Sequence, residues 1–394
     1  MAAASEIVAS LPPEQLVRAL EVNDYMLGEA RQATDADIVI SGMSERIFAA
    51  GVPLDRSSSI VRLLHAESVA SARYWERGIG ARHQTFPFRL GDSGEQYNRS
   101  PAAVVHQTRE WLTLWLPDTP DDAYNIVPEL KADGYTHYVM MPVFTAEGMS
   151  NTFSFATKAP QGFSDSDFAF FRAIFPAIAA CQEILATRRI LHELVRMYVG
   201  NEPHKRILSG DVHRGQVTRI RSAILFADMR EFTRLTADLS AEAATRLLND
   251  YYDCIVPPVE ERGGEVLKFI ADGILAIFRA EGEGGRACRH ATEAARAGLA
   301  NVASYAGQPK FEVGIGLHFG EVAFGNVGSG ARLDYTVIGR DVNLASRVAT
   351  LCGTLKMPLL ASSQFRAAIG DQPCRPVGAF ELKGLKRPEE IIAL

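Results

Sequence analysis

The chain has 394 residues, of which 47% are hydrophobic and 22% are charged, a composition typical of an ordinary folded protein. This length suits two or three domains of the usual size. Its 41 basic and 47 acidic side chains give a net charge of −6, which excludes a global attraction for nucleic acid or for an anionic membrane. An anionic ligand must therefore be bound by a local cluster of positive charge.

The five cysteines include no Cys-x-x-Cys pair, which argues against a disulfide framework or a structural zinc site and favours the cytoplasm. Residues Met1–Glu6 lack the basic region of a secretion signal. The apolar stretch around 173–181 is far shorter than the ~20 residues that a membrane span needs. We therefore expect a cytoplasmic protein with no membrane span and no nucleic-acid partner.

The first predicted element is a helix over residues 14–30, where apolar residues recur at helical spacing. A mixed α/β stretch follows and ends in a predicted hairpin, whose strands are Tyr138–Phe144 and Ser150–Ala156. The segment Ser164–Asp167 is typical of a helix cap. It predicts the start of a helix that runs into Cys181.

A connecting helix is predicted next, because only Pro176, Gly200 and Pro203 interrupt the helical periodicity between residues 168 and 206. Four residues recur along it at alternating spacings of seven and of three or four: Ile184, Leu191, Leu194 and Tyr198. Two heptads are too few to require a coiled coil, so a helix packed on its own domain is an equal alternative.

The third region alternates strands and helices from about residue 216 to the end. The predicted strands are Ser222–Asp228, Gly264–Ile270, Gly273–Phe278, Phe311–Leu317 and Glu321–Phe324, and the predicted helices are Ala241–Pro257 and Gly285–Ser304. The order strand, helix, two strands, helix, strand is that of a ferredoxin-like α/β (α+β) sandwich with additions.

Two aspartates in this region occupy positions suited to metal binding. Asp228 ends an apolar strand, and Asp272 lies in the turn of a predicted hairpin. Carboxylates at such places can share Mg²⁺ or Mn²⁺, and a pair of metals is a common device for phosphoryl transfer. Either aspartate alone is equally well explained as a turn or cap residue.

Three motifs in order resemble the class III nucleotidyl cyclase catalytic domain: Phe226–Thr233 (FADMREFT), Lys268–Asp272 (KFIAD) and Asp334–Arg347 (DYTVIGRDVNLASR). The resemblance covers residues 216–394. It implies that ATP is cyclised to 3′,5′-cyclic AMP and pyrophosphate, as the ribose 3′-oxygen attacks the α-phosphorus. It also implies that Asp228 and Asp272 hold two divalent cations per site, Mg²⁺ or Mn²⁺.

The base can be argued from hydrogen-bond donors and acceptors. Lys268 can only donate, which suits the acceptor at adenine N1 and opposes the N1 proton of guanine. Thr336 can accept from the adenine amino group through its hydroxyl. Guanylate cyclases of the family carry an acidic residue at the position of Lys268. Adenine is therefore favoured, and a guanylate cyclase is the alternative.

Further site residues follow from the resemblance. Asn343 and Arg347 are four residues apart on a predicted helix and so share one face. The matching family residues orient the ribose and neutralise charge near the α-phosphate. Lys383 matches the lysine that holds the terminal phosphates, with Lys386 a weaker candidate, and Arg332 is a weaker candidate for phosphate binding.

Two residues depart from the family pattern. Glu231 and Ala271 stand where relatives commonly have glycine, and both lie beside the expected metal ligands. A Cβ resists positive φ, so the local backbone is expected to differ. These departures motivate a second alternative, a weakly active regulatory protein that binds nucleotide.

The resemblance also implies a homodimer, because in the family each active site lies between two catalytic domains and draws residues from both. One domain supplies the metal-binding aspartates and the other supplies the residues that contact the base, ribose and phosphates. This chain contains both sets. Two copies related by a twofold axis would therefore form two equivalent sites.

The amino-terminal part, from about residue 14 to 180, resembles a GAF domain, chiefly in the predicted hairpin and in Gly162–Asp167 with its following helix. The expected organisation is a sensor domain over 1–180, a connecting helix over 181–215 and a catalytic domain over 216–394. Domains of this kind commonly bind a small molecule, so we expect an unknown small-molecule ligand here. Cys181 is expected to be a packing residue.

Overall fold

The chain is described by a computed structural model, which covers residues 11–89, 94–146, 148 and 150–394. Met1–Glu6, and Glu147 in the predicted hairpin turn, lie outside the described residues. The structure divides into two compact units, one up to Leu194 and one over Val195–Leu394.

The amino-terminal unit contains a sheet with helices on both faces. Its helices are α1 (Pro13–Leu27), α2 (Ala36–Ala49), α3 (Glu95–Asn98), α4 (Pro101–Thr108), α5 (Val127–Ala132) and α6 (Asp165–Val199), with short 3₁₀ turns at Ala30–Gln32 and Leu116–Asp118. Its strands are β1 (Arg56–His65), β2 (Ser68–Glu76), β3 (Gly80–Pro87), β4 (Leu112–Trp115), β5 (His137–Phe144) and β6 (Ser150–Thr157).

The strands form an antiparallel sheet in the order β3-β2-β1-β6-β5-β4. The predicted hairpin is confirmed as β5 and β6, which pair from His137 opposite Thr157 to Phe144 opposite Ser150. Alternate residues of β5 enter different cores, since Val139 packs with α1, α2 and α6 whereas Tyr138 packs with α4 and α5. This unit is consistent with a sensor domain.

Helix α6 is longer than the predicted run into Cys181. It spans 35 residues, passes through Pro176 and ends where Gly200 adopts a φ of 89°. By length and composition it is the one helix in the described part of the chain that could cross a membrane. Core helices pass the same test, and Phe170 and Ile178 of α6 are fully buried against the sheet.

The carboxy-terminal unit completes the chain. Its helices are α7 (Asn201–Leu208), α8 (Phe232–Thr236), α9 (Ala241–Glu261), α10 (Gly285–Ser304), α11 (Arg340–Leu355) and α12 (Ser363–Ile369). Its strands are β7 (Val217–Met229), β8 (Glu265–Ile270), β9 (Gly273–Arg279), β10 (Val313–Gly328), β11 (Leu333–Ile338), β12 (Leu359–Ser362), β13 (Arg375–Phe380) and β14 (Glu389–Ala393).

The predicted ferredoxin-like arrangement is confirmed in this unit. The sheet order is β13-β14-β12-β10-β7-β9-β8, with β11 paired to β10, and β7, α9, β8, β9, α10 and β10 give the expected strand and helix order. One prediction was wrong: Phe311–Leu317 and Glu321–Phe324 are not separate strands. Residues 313–317 and 321–324 belong to the single strand β10, because its ladder with β7 continues through Gly320 opposite Ser222.

Two cores lie on opposite faces of this sheet. Leu225 and Ala227 of β7 pack with α9 and α10, whereas Ile224 and Phe226 pack with β11 and α11. Side chains alternate along a strand. Asp228 therefore falls on the same face as Ile224 and Phe226, towards β11 and α11.

Candidate active site

Asp228 lies near the end of β7, between the neighbouring strands β9 and β10. It is paired with Gly273 of β9 and with Gly314 of β10. A Cβ on Gly273 would lie 3.1 Å from the carbonyl oxygen of Ile270 and 3.2 Å from the ring of Phe226. The tight hairpin and its packing on Phe226 of β7 therefore favour glycine at this position.

Asp272 lies in the two-residue turn between β8 and β9, since Ile270 pairs with Gly273. The turn is tied to the rest of the unit at two points. The backbone N–H of Met229 donates to the carbonyl of Asp272 at 3.4 Å. The hydroxyl of Tyr252 in α9 donates to the carbonyl of Ala271 at 2.8 Å. These contacts place Asp272 beside the end of β7, where Asp228 lies.

The two carboxylates repel each other. Burial, and then the charge of Asp272, raise the pKa of Asp228 to about 6. In the described part of the chain no lysine, arginine or histidine forms an ion pair with either aspartate. Among the described residues, the carboxylate of Asp272 is the one charge that shifts the pKa of Asp228. The fully buried hydroxyl of Tyr251 has no hydrogen-bond partner among the described residues. Burial and then Asp228 raise the pKa of Tyr251.

The carboxylate oxygens of Asp228 and Asp272 are ligands that suit a hard divalent cation. Within residues 11–89, 94–146, 148 and 150–394, no group of three or more His, Cys, Asp or Glu side chains could hold a metal. Asp228 and Asp272 thus offer two carboxylates and leave the remaining positions to other oxygen ligands. Mg²⁺ is commonly bound in this way, by one or two carboxylates together with water and substrate phosphates.

The two departures from the family pattern both have left-handed backbone conformations. Glu231 has a φ of 55° and Ala271 a φ of 53°. Glu231 precedes α8, and its carboxylate accepts a hydrogen bond from Arg234 Nε at 2.7 Å. Left-handed φ costs a residue with a Cβ about 1 kcal/mol. Backbone strain is therefore stored three residues after Asp228 and one residue before Asp272.

Lys268 lies on β8 and forms an ion pair with Asp334 at the start of β11. Asp334 and Thr336 are two residues apart on β11, so they share a face. Thr336 is buried, with 8% of its surface exposed. The structure therefore brings Lys268 and Thr336 to one place and adds Asp334 to them. Sequence reasoning missed Asp334, although it is the first residue of the third motif.

Lys268, which is predicted to contact the base, lies apart from Asp228 within one chain. Lys268 pairs with Leu275 on β9, and Leu275 pairs with Phe226 on β7. Two strand spacings therefore separate Lys268 from β7, a distance of about 10 Å.

Asn343 and Arg347 lie on α11, as predicted, with Asn343 exposed and Arg347 half-buried. A Cβ built on Gly384 would lie 3.5 Å from Arg347 Nη2, so the guanidinium of Arg347 lies against the turn that carries Lys383. A concave surface of about 350 Å³ follows this turn. Its basic lining residues are Lys383, Lys386 and Arg387.

Arg332 lies in a different place, the exposed turn between β10 and β11. Its backbone N–H donates to Ser329 Oγ at 3.2 Å, and its carbonyl accepts from the backbone of Ser329 at 2.9 Å. The structure does not bring its side chain to any other predicted site residue in the described part of the chain.

A buried network fixes the start of α11. Asp341 accepts a hydrogen bond from the backbone N–H of Glu321 at 2.9 Å and lies 3.6 Å from His318 Nε2. His318 Nδ1 lies 2.7 Å from Ser362 Oγ. The proximity of His318 lowers the pKa of Asp341. Ser362 is fully buried and caps α12. The bond from Glu321 to Asp341 ties β10 to the first turn of α11, the helix that carries Asn343 and Arg347.

Comparison with known proteins finds a family match within this unit. Residues 217–392 match the family described as "Adenylate and Guanylate cyclase catalytic domain". The chain is 36% identical over 145 residues to an adenylate cyclase of Anabaena cylindrica, a match that covers 35% of this chain and 28% of that protein. It is 31% identical over 199 residues to adenylate cyclase 1 of Rhizobium meliloti (strain 1021), which covers 48% of this chain and 30% of that protein.

The chain thus spans less than a third of the length of these curated relatives. Among solved structures, the adenylyl cyclase CyaB from P. aeruginosa is 30% identical with a TM-score of 0.40. That match covers 45% of this chain and 94% of the other.

Proposed function

The carboxy-terminal unit is a class III nucleotidyl cyclase catalytic domain, and from this we propose that the chain is an adenylate cyclase that converts ATP to 3′,5′-cyclic AMP and pyrophosphate. One observation carries the proposal. Asp228 and Asp272 lie together, half-buried, and in the described residues no cation balances them. Holding two partly buried negative charges together costs folding free energy unless a positive ligand binds them.

The two aspartates would hold two divalent cations, Mg²⁺ or Mn²⁺. When bound, such ions polarise the attacking hydroxyl and neutralise triphosphate charge. The protein supplies no nucleophile of its own. Tyr252 holds the turn of Asp272 through its bond to Ala271, and Gly273 allows the turn to approach β7. These contacts fix the spacing of the two carboxylates before substrate arrives.

Adenine would be read by Lys268 and Thr336. The ammonium of Lys268 donates to N1, and the hydroxyl of Thr336 accepts from the exocyclic amino group. The ion pair with Asp334 holds the flexible lysine side chain beside Thr336. Asp334 is therefore a positioning residue for base recognition.

The phosphates would be bound from α11 and from the turn that carries Lys383. The guanidinium of Arg347 lies against Gly384, the residue after Lys383, so α11 and the turn each bring a basic residue to this part of the unit. Arg347 would neutralise charge near the α-phosphate, and Lys383 would hold the terminal phosphates. Asn343, one helical turn before Arg347 on α11, would orient the ribose. Arg332 remains a weaker candidate.

We propose a homodimer in which each site takes its aspartates from one copy and its base-reading and phosphate-binding residues from the other. Cyclase catalytic domains act as dimers. Apolar side chains beside the aspartate turn are exposed, with 51% of Phe269 and 46% of Ile270 accessible. Three exposed residues also recur every seven positions along α6: Ile184, Leu191 and Tyr198. A second copy would bury both surfaces.

We also propose that residues 1–180 form a GAF-like sensor domain and that residues 181–215 connect it to the catalytic domain over 216–394. In this proposal the protein is cytoplasmic, and a small molecule bound to the sensor domain regulates turnover by the catalytic domain. The antiparallel sheet with helices on both faces supports a sensor role.

The proposal is tested by measuring product from ATP and from guanosine triphosphate with Mg²⁺ or Mn²⁺. We expect metal-dependent cyclic AMP formation that is lost in Asp228→Asn. The exposed residue Asp238 provides a matched control, because Asp238→Asn makes the same change of charge outside the site. Absence of cyclic AMP from a folded protein that binds ATP would overturn the proposal.

Two alternatives have observations in their favour. The ion pair of Lys268 and Asp334 places a hydrogen-bond donor beside an acceptor. Such a pair also complements guanine, whose O6 accepts and whose N1 proton is donated. Cyclic GMP as the main product would therefore identify a guanylate cyclase. The left-handed φ of Glu231 and Ala271 favours a weakly active regulatory protein. Nucleotide binding without product would identify that function.

A further inference from the structure

A cavity of about 80 Å³ lies inside the amino-terminal unit, between helices α1, α2 and α6 and strands β1, β2 and β6. Most of its lining is apolar, and Ile40, Met43, Phe153 and Ile178 are all buried there. At about 10–15 Å³ for each water-sized group, it has room for roughly five to eight non-hydrogen atoms. The cavity is therefore large enough for the body of a small organic molecule.

Two arginines also line this cavity. Arg73 of β2 donates from Nε to Asp37 at 2.9 Å. Arg189 of α6 donates from Nε to Glu193 at 2.8 Å and from Nη1 to Ser71 at 3.2 Å. A guanidinium has five N–H donors, so these contacts leave donors on both arginines for a ligand. Both side chains are partly exposed, at 24% and 32%, which places the positive groups where the cavity meets solvent.

Gln182 of α6 supplies the deeper polar contact. It is 6% exposed, and its Nε2 donates to Ser59 Oγ at 2.7 Å and to the carbonyl of Thr152 at 3.1 Å. The carbonyl of Thr152 can only accept, so the amide orientation of Gln182 is fixed. Its Oε1 is buried without a hydrogen-bond partner among the described residues. A buried acceptor of this kind favours a ligand that carries a donor.

We propose that this cavity is a binding site for a small apolar carboxylic acid that also carries a hydroxyl group. The apolar body fills the space among α1, α2 and the sheet. The hydroxyl donates to Gln182 Oε1, and the carboxylate accepts hydrogen bonds from Arg73 and Arg189. No acidic side chain lines the cavity, so an added ammonium group on the ligand would lack a partner.

The site lies along one face of α6. The lining residues of this helix are Ile178, Cys181, Gln182, Leu185, Ala186 and Arg189, which follow the three- and four-residue spacing of a single helix face. Cys181 is thus a lining residue, and burial raises the pKa of its thiol to about 11, so it remains an uncharged part of the wall.

The test is isothermal titration calorimetry of the full chain with three ligands of one shape: α-hydroxyisovalerate, isovalerate and α-hydroxyisovaleramide. We expect α-hydroxyisovalerate to bind. Isovalerate lacks the donor and is expected to bind roughly three- to tenfold more weakly. The amide lacks the charge and is expected to bind at least about tenfold more weakly. No heat from α-hydroxyisovalerate at millimolar concentration, or equal affinity for all three, would overturn the proposal.

Variants of the chain complete the test. Ala186→Leu fills the cavity without removing a polar group and is expected to abolish binding. Arg189→Gln is expected to weaken the acids about tenfold and the amide less. Arg188 is exposed and does not line the cavity, so Arg188→Gln is the matched control and should bind normally. Thermal unfolding verifies that each variant is folded. Equal losses in the two arginine variants, or full binding by folded Ala186→Leu, would overturn the site.

The binding measurement is independent of the proposed enzyme. Calorimetry with these acids requires neither nucleotide nor metal, so an inactive catalytic unit would leave its result intact. A cyclase that turns over normally but gives no binding heat would overturn only the cavity.

Discussion

Glu231 and Ala271 have nearly the same left-handed φ, 55° and 53°, and each lies within three residues of an aspartate of the candidate metal site. Two segments distant in sequence therefore carry the same backbone strain at one site. Non-glycine residues with positive φ cluster at functional sites because surrounding contacts hold them there. Here the bond from Tyr252 to Ala271 is one such contact.

Ala271→Gly is expected to stabilise the protein by about 0.5–1 kcal/mol, because glycine accepts positive φ without a Cβ clash. The midpoint of urea unfolding measures this change. Lys356 ends α11 with a φ of 51°, so Lys356→Gly is the control and should stabilise the chain similarly without altering metal affinity. A lower midpoint for Ala271→Gly would show that the strained turn is not formed.

Asp228→Asn is expected to stabilise the metal-free protein at pH 8 but not at pH 4. The folded pKa of Asp228, about 6, exceeds the unfolded value of about 3.9. Its contribution to stability is therefore fully present below about pH 4 and is lost as the pH rises through 6. Solvent screens this half-buried group, so we expect a difference of about 1 kcal/mol at pH 8.

Unfolding in urea with a chelator present, at both pH values, measures that difference in stability. Added Mg²⁺ should then stabilise the wild type and not the variant. A variant that is equally or less stable than the wild type at pH 8 would contradict the burial of an unbalanced carboxylate.

Asp334→Asn is expected to raise the KM for ATP about tenfold, because Lys268 loses the partner that holds it beside Thr336. Steady-state kinetics with ATP and guanosine triphosphate measure the effect. Asp211, whose carboxylate lies 3.9 Å from Arg206, offers a control: Asp211→Asn removes another ion pair of the same unit. The role of Asp334 would be rejected if both variants showed the same KM.

Mixing Asp228→Ala chains with Arg347→Ala chains is expected to restore part of the activity, although each is inactive alone. Some mixed dimers then contain one site with both aspartates and arginine intact. Cyclic AMP formation after mixing, compared with each variant by itself, measures the recovery. No recovery under conditions where chains exchange would show that the two residues do not act across a shared interface.

Tyr252→Phe is expected to destabilise the hairpin turn by about 1 kcal/mol through loss of the bond to Ala271 and to weaken metal binding. Tyr305 donates to Asp250 at 2.6 Å, so Tyr305→Phe removes a comparable hydrogen bond outside the turn. Calorimetry with Mn²⁺ compares the two. Unchanged Mn²⁺ affinity in Tyr252→Phe would show that the hydrogen bond from Tyr252 does not contribute to metal binding.

Local sequence signals predicted the elements that carry the site. The apolar run before Asp228 and the Ala271-Asp272-Gly273 turn identified β7 and the β8–β9 hairpin, because strand periodicity and turn chemistry are short-range properties. The prediction ended one strand at Leu317 and began the next at Glu321, whereas β10 continues through Gly320, although glycine usually weakens a strand. Hydrogen bonds to β7 hold Gly320 in the strand despite the low strand preference of glycine. The local sequence of β10 gives no information about this pairing with a distant segment.

The contacts that sequence reasoning missed are all long-range. Lys268 meets Asp334 across 66 positions because β11 folds back on β10. Asp341 meets His318, and Tyr252 meets Ala271, through packing of helices on the sheet. The residue types gave no signal for these pairs, because each was individually compatible with a solvent-exposed position.

Helix α6 has one further consequence. Pro176 comes before the residues of α6 that line the cavity, and Gly200, which follows the helix, is 18 residues beyond Gln182. At 1.5 Å per residue, about 27 Å of helix separates Gln182 from that end. No proline or glycine interrupts this part of the helix, so it contains none of the residues that commonly bend a helix. Within α6 itself, a change in helix orientation at Gln182 would therefore be transmitted along the helix axis to its last residue, Val199.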